Sequence, residues 1–163
     1  SDLGGFGVYS EGDTHVQGDL TWQDKTGRVS VAAAAFHPSE DGFDFSNRGH
    51  TLSNVDGSSI TYLAPVQLPH GSTVTKMTFY WTDGIDPDDG FARLYRIDMM
   101  GDEDSMARAD TQASSGTYYS TDDSVDHATI DNSQYAYYVW LNLPHPDVKA
   151  HGIVIEYTFG EPY

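Results

Sequence analysis

The chain has 163 residues, room for one domain with a sizeable core plus an arm, and it carries 25 acidic against 8 basic residues for a formal charge of -17. That balance argues against nucleic acid and against insertion into or binding to anionic membranes, which need a basic face; it favours a well-solvated surface suited to a salty medium, where ions screen the self-repulsion. With no cysteine in the sequence, disulfides, thiolate zinc sites and a cysteine nucleophile are excluded, and no apolar run approaches the ~18 residues of a membrane-spanning helix.

The opening stretch, SDLGGFGVYSEGDTHVQGDL, has no initiator Met and is expected to follow removal of a signal peptide, which places the protein outside the cell. Its glycines alternate with Leu3, Phe6, Val8, Tyr9, Val16 and Leu20, an apolar load that a solvated tail has no use for. Phe6 and Val8 share one face at period two, with Leu3 joining them through a register break at Gly4-Gly5. Val16, Leu20 and Trp22 form a second evenly spaced apolar set. Two readings stand side by side. Residues 1–27 form an extended arm that leaves its own domain, residues 28–163, and adds a strand to a neighbouring copy; such a head-to-tail contact does not close and propagates as a fibre. Alternatively, the same residues are the first strands of their own domain, folded back in cis.

From there on the sequence is rich in Tyr, Thr, Val and Gly and lacks helical periodicity. RVSVAAAAF (28–36) reads as a closely packed strand, and weaker strands fall near 43–53. SSITYLAPVQL (58–68) follows a VDG turn. STVTKMTFYWTD (72–83) alternates cleanly, with Met77, Phe79 and Trp81 on one face. FARLYRID (91–98) alternates as well. SMARADTQA (105–113) reads as a strand with Met106, Arg108 and Asp110 together, although 104–113 is also the one short helical candidate. A further weak strand falls near 124–131. QYAYYVWLNL (134–143) puts Tyr135, Tyr137, Val139 and Leu141 on one face, and GIVIEYTF (152–159) puts Ile153, Ile155, Tyr157 and Phe159 in step. About eight strands at short intervals, with no βαβ alternation, predict an all-β, antiparallel, jelly-roll-like sandwich.

Several constellations can carry chemistry. DGIDPDDG (83–90) offers Asp83, Asp86, Asp88 and Asp89, oxygens of the type calcium takes, but without EF-hand spacing; the competing reading is a hairpin loop whose Asp, Pro and Gly serve turn geometry. In MMGDEDS (99–105), Asp102, Glu103 and Asp104 make an acidic turn, and Met99 and Met100 are expected to pack at the end of the sandwich. The histidines show no i, i+4 pair, which leaves only a three-histidine metal site assembled in space. No nucleophile elbow is present, and with so many acids a carboxylate pair at glycosidase spacing would arise by chance. YAYYVW carries aromatics on both faces, Tyr135 and Tyr137 on one, Tyr138 and Trp140 on the other. A sheet normally leaves one face polar, so the second aromatic face calls for a cover: a loop, a sugar or a neighbouring copy.

The run LAPVQLPHGSTVTKMTFYWTD (63–83), RLYRID (93–98), IDNSQYAYYVWLNLP (130–144) and GIVIEYTF (152–159) resembles a family of uncharacterised secreted bacterial and environmental proteins with a PV-LPHGA-VT entry, a YAYYV strand and a C-terminal I-I-YT strand. The resemblance spans roughly residues 28–160 and implies an extracellular β-sandwich without catalytic residues. A looser likeness to subunits of extracellular microbial filaments implies strand donation between copies. The leading expectation is therefore a non-enzymatic filament subunit that binds copies of itself through Leu3, Phe6, Val8, Tyr9, Val16, Leu20 and Trp22. The alternative is a secreted carbohydrate- or calcium-binding module, with glycans as partners, calcium as the one cofactor considered, and Asp83, Asp86, Asp88 and Asp89 as its ligands.

Overall fold

The computed structural model describes residues 24–55, 57–84, 89–112 and 114–160. One sheet, A, holds β1 (Lys25–Ala32), β3 (Phe45–Asn47), β4 (Leu52–Asn54), β6 (Thr73–Asp83), β9 (Ser114–Asp122) and β11 (Val148–Phe159). The other, B, holds β2 (His37–Pro38), β5 (Ile60–Val66), β7 (Phe91–Asp98), β8 (Glu103–Asp110) and β10 (Tyr135–Leu143). Sheet A runs β3-β4-β11-β6-β9 with β1 also on β11, and sheet B runs β2-β5-β10-β7-β8. Every pairing is antiparallel, and the two sheets form the expected sandwich.

The core lies where the alternating strands turn their apolar sides toward each other. Met77, Phe79 and Trp81 of β6 and Ile153 and Ile155 of β11 point in from sheet A, and Tyr137, Val139, Leu141 and Leu143 of β10 point in from sheet B. A few polar side chains are buried with it, Asn54, Ser72, Thr78, Asp83 and Thr111 among the described residues. Asn54 is buried, donates to the carbonyls of Ser58 (2.7 Å) and Leu143 (2.6 Å), and accepts the Tyr62 hydroxyl (2.8 Å), so its polar atoms are satisfied within the core. Ahead of β10 a tight turn is held by Asp131, whose carboxylate accepts from Ser133 N (2.9 Å), Ser133 Oγ and Gln134 Nε2 (2.7 Å). The Ser133 hydrogen bonds hold the Asp131 carboxyl below its usual range. This turn's contribution to stability is therefore present above the unfolded carboxylate pKa and lost as pH falls through the lower folded value.

Several expectations change in three dimensions. Strand 28–36 ends early: Ala33–Ala35 form a 3-10 turn, because the chain must leave β1 in sheet A to reach β2 in sheet B. Lys25, Thr26 and Gly27, grouped with the arm on sequence, pair with Phe159, Thr158 and Tyr157. The arm residues 1–23 lie outside the described residues. Of residues 104–113, read as strand or short helix, 104–110 are strand, but Met106 is buried while Arg108 is exposed. A bulge opposite Leu94 and Tyr95 inserts one residue and turns Met106 inward, so Met106, Arg108 and Asp110 do not share a face. Loop 83–90 is not a hairpin: β6 pairs with β11 and β9, β7 with β10 and β8, and the segment crosses between sheets. Met99 and Met100 stand out at the β7–β8 turn, 79% and 89% exposed, instead of packing. The turn is tied by the Asp98 carboxylate to the backbone N–H groups of Met100 and Asp102, which leaves both thioethers outside. Residues 124–131 supply only an isolated bridge, Thr129 to Thr73. β9 has no sequence counterpart, because SSGTYYSTD lacks apolar alternation and lies at the edge of sheet A.

β11 offers one edge to β6 and the other to β4 and β1 in tandem, with Ala150 opposite Leu52 and Gly152–Phe159 opposite Ala32–Lys25. At the changeover Gly152 has φ 157°, beside a bulge against β6, and a Cβ there would lie 2.8 Å from the Val31 carbonyl oxygen. Gly152→Ala must therefore push β1 off β11 or strain the bulge. A loss of about 1–3 kcal/mol is expected in urea unfolding with unchanged denaturant slope; full retention of stability would show that β1 has slack at this point.

Candidate functional site

The outer face of sheet B is built by the residues that the core rejects. In β10, Tyr138, Trp140 and Asn142 alternate with buried Val139, Leu141 and Leu143. In β7, Phe91, Arg93 and Tyr95 alternate with buried Ala92 and Leu94. Register then sets them in rows across the sheet. One row runs His37, Leu63, Trp140, Arg93, Arg108 over five strands. The neighbouring row runs Pro65, Tyr138, Tyr95, Ser105. Rows lie two residues apart, roughly 7 Å along the strand, and neighbours within a row about 5 Å apart.

The aromatic rings are locked against one another. Tyr95 and Tyr138 are directly paired and stack with centroids 5.4 Å apart and planes 12° apart. Phe91 and Trp140 sit diagonally, 5.2 Å apart at 42°. Such contacts hold the rings in place beyond simple area burial. Beside them lies an open groove of about 650 Å³. Tyr138 and Trp140 form its floor, His37, Leu63 and Pro65 its β2–β5 flank, and Ile97 and Glu103 the opposite one.

Polar groups punctuate this apolar floor. The Tyr138 hydroxyl donates to the Glu103 carboxylate. Burial first, and that hydrogen bond second, push the Tyr138 phenol far above its usual value, so it remains a neutral donor throughout the physiological range. Arg108 makes a bidentate contact with Asp110 (2.8 and 3.1 Å from Nε) and lies over the Phe91 ring, 4.2 Å from its centroid. Arg93 is treated differently. Its Nη1 donates to the Tyr95 hydroxyl (3.1 Å), its guanidinium sits 5.2 Å from the Phe91 centroid, and its Nε is buried without a hydrogen-bond partner among the described residues.

The residues singled out on sequence fall elsewhere. Leu3, Phe6, Val8, Tyr9, Val16, Leu20 and Trp22 lie outside the described residues, as do Asp86 and Asp88. Asp83 is fully buried and accepts the Thr111 hydroxyl, which in turn accepts from Gly90 N (2.8 Å); its carboxylate serves the interior, not an outward loop. Asp89 lies just ahead of β7, in the inter-sheet crossing. Among the described residues no group of three or more His, Asp or Glu is placed to hold a metal ion. The acidic turn is compensated in part from within the protein: Asp104 pairs with Arg96 (2.8 Å), and Glu103 accepts the Tyr138 hydroxyl while keeping its charge. Of the aromatic pairs marked in YAYYVW, Tyr137 goes to the core, Tyr138 and Trp140 to the open face. Phe91, Arg93 and Tyr95 were legible as one face of FARLYRID; that this face abuts Tyr138 and Trp140 was not, since adjacency of β7 and β10 spans about 40 residues of chain.

No protein-family model and no curated protein matches the chain. Solved structures do share the fold. The C-terminal CBM6 module of a marine laminarinase from Zobellia galactanivorans superposes with a TM-score of 0.53 at 10% identity, over 79% of this chain and 98% of that one. The CBM22-1–GH10 modules of a Clostridium thermocellum endo-1,4-β-D-xylanase, complexed with xylohexaose, match with a TM-score of 0.53 at 9% identity, over 88% of this chain. The chain spans 30% of that xylanase structure's length. At such identities the likeness establishes the β-sandwich and nothing finer. No described helix is long and apolar enough to cross a membrane.

The tyrosine chemistry is directly measurable. Burial raises the phenols of both Tyr137 and Tyr138, Tyr138 the more strongly. A raised folded value means that their contribution to stability is complete below the unfolded pKa of about 10 and is lost as pH climbs through the folded values. Ultraviolet titration of phenolate formation is expected to show a late component above the main tyrosine wave. Tyr138→Phe should shrink that component, and its persistence at full amplitude would contradict the assignment.

Proposed function

We propose that the protein is a non-catalytic carbohydrate-binding module, acting outside the cell, that lays a glycan chain across the outer face of sheet B. The observation that carries the reading is the row formed by Leu63, Trp140 and Arg93, flanked by the Tyr95–Tyr138 stack and opening into the groove. Sugar rings present C–H faces to which the electron-rich face of an indole or phenol is attractive, and hydroxyl edges that need donors and acceptors alongside. Trp140 and Tyr138 supply the first, Arg93, Glu103 and Asn142 the second. The rings are held by their neighbours before a ligand arrives, which limits the entropy lost on binding. The shared fold with modules of a laminarinase and a xylanase supports the same reading and makes β-linked polysaccharides the first ligands to try.

The filament-subunit expectation rests on an arm whose apolar residues lie outside the described part, and no feature of sheets A and B adds to it. Calcium has no assembled ligand group among the described residues, so the carbohydrate half of the alternative is the one with a site behind it.

Affinity electrophoresis through gels containing laminarin, xylan and acidic polysaccharides tests this. At least one polymer is expected to retard the protein, and Trp140→Ala should weaken that retention about tenfold or more, the scale of losing one aromatic stacking contact. Tyr119→Ala, on the outer face of sheet A and 65% exposed, serves as the control. Retention indifferent to Trp140 would move the site off sheet B.

A further inference from the structure

Arg93 makes an arrangement that needs a partner. It stands directly opposite Trp140 on one side and Arg108 on the other, and the guanidinium groups of both arginines approach the Phe91 ring, 5.2 and 4.2 Å from its centroid. Like charges directly opposite on one face are destabilising. Arg108 is relieved by Asp110, as Arg28 is by Glu156 and Arg96 by Asp104; Arg48, like Arg93, has no ion pair among the described residues but lies outside sheet B. Among the described residues Arg93 has no carboxylate within ion-pair distance, in a chain with 25 acidic residues against 8 basic. Its Nε is a buried N–H without an acceptor and is closed to an incoming ligand as well, so what the side chain offers a ligand is its charge and the Nη edge of the guanidinium. A charged donor left unsatisfied costs more than a neutral one, and a carboxylate satisfies both the hydrogen bond and the charge where a hydroxyl satisfies only the first.

We infer that the ligand is an acidic glycan, a chain carrying uronic-acid residues, and that Arg93 is the specificity-determining residue that takes the sugar carboxylate beside the Trp140 ring. The inference rests on the carbohydrate-binding reading and sharpens it. Its charge logic is local. On the same face Asp110 is paired with Arg108, and Glu103, which keeps its charge while accepting the Tyr138 hydroxyl, stands farther along the strands opposite Ile97, so the position next to Trp140 is where a further negative charge meets a cation without an ion pair among the described residues. The overall charge of -17 opposes a polyanion at long range, but at 0.15 M salt that field decays over about 8 Å, while a contact ion pair is far less screened.

The test measures binding at about 0.15 M salt to glucuronoxylan, polygalacturonate and alginate, each beside its carboxyl-reduced form, together with laminarin and unsubstituted xylan, for the wild type, Arg93→Gln, Arg93→Lys and Trp140→Ala. At least one acidic polymer is expected to bind roughly tenfold or more tighter than its reduced form, the scale of a charge-assisted hydrogen bond. Arg93→Gln should collapse that ratio to about two or less, whereas Arg93→Lys, which keeps the charge but lacks the planar guanidinium fork, should retain part of it. Trp140→Ala should weaken the acidic and reduced forms alike. Thermal unfolding of each variant establishes that it is folded, and if Arg93→Gln is not, the Arg93→Lys ratio decides. Equal binding of acidic and reduced forms, or a preference that survives Arg93→Gln, overturns the acidic ligand and leaves the carbohydrate reading standing. Failure to bind any polymer, acidic or neutral, overturns both.

Discussion

Strand β10 must satisfy two surfaces at once, and the architecture of sheet B follows from how it does so. It is the central strand of five, hydrogen-bonded to β5 and β7 along nearly its whole length. Its inward residues Tyr137, Val139, Leu141 and Leu143 anchor the core, so a one-residue slip would expose all four and bury Tyr138, Trp140 and Asn142 in their place. The core thus fixes the register of β10, and the register fixes which side chains stand on the outer face and beside whom. The site is an exact by-product of core packing: Trp140 meets Leu63 and Arg93 because Val139 and Leu141 meet the interior.

Around that strand, irregularities adjust what each sheet presents. The bulge in β8 sends Met106 inward and brings Arg108 out opposite Arg93, which concentrates two cations where the sheet already carries Phe91 and Trp140. The bulge in β11 between Ala150 and Gly152 lies in its ladder with β6, level with the point where the other edge passes from β4 to β1. Both are extra residues in a ladder, and both change which groups reach a surface without altering strand order.

The charge pattern gains meaning only with positions attached. A chain at -17 is expected to repel anions. Yet its acidic turn spends Asp104 on Arg96 and Glu103 on Tyr138, and the buried Asp83 is committed to Thr111. The net charge describes the solvated surface as a whole, whereas recognition depends on the few groups within contact distance of a ligand.

Most of the fold was legible because period-two alternation survives into structure unchanged: β6, β7 and β10 lie within a residue of their sequence-read limits, and in β6 and β10 the inward faces are the ones the apolar residues marked. β9 was not legible, since an edge strand with small polar residues carries no such signal. The outer aromatic face was half legible. Sequence alone determined that Tyr138 and Trp140 oppose Tyr137, Val139 and Leu141 in their strand, and that 91–98 alternates, because side-chain direction in a strand is a local property; that Ala92 and Leu94 are the inward side of β7 came from the structure. Only the tertiary structure decided that the two sets form one surface and that Asp110 goes to Arg108 and not to Arg93, because pairing between strands distant in the chain is set by the packing of the whole sandwich.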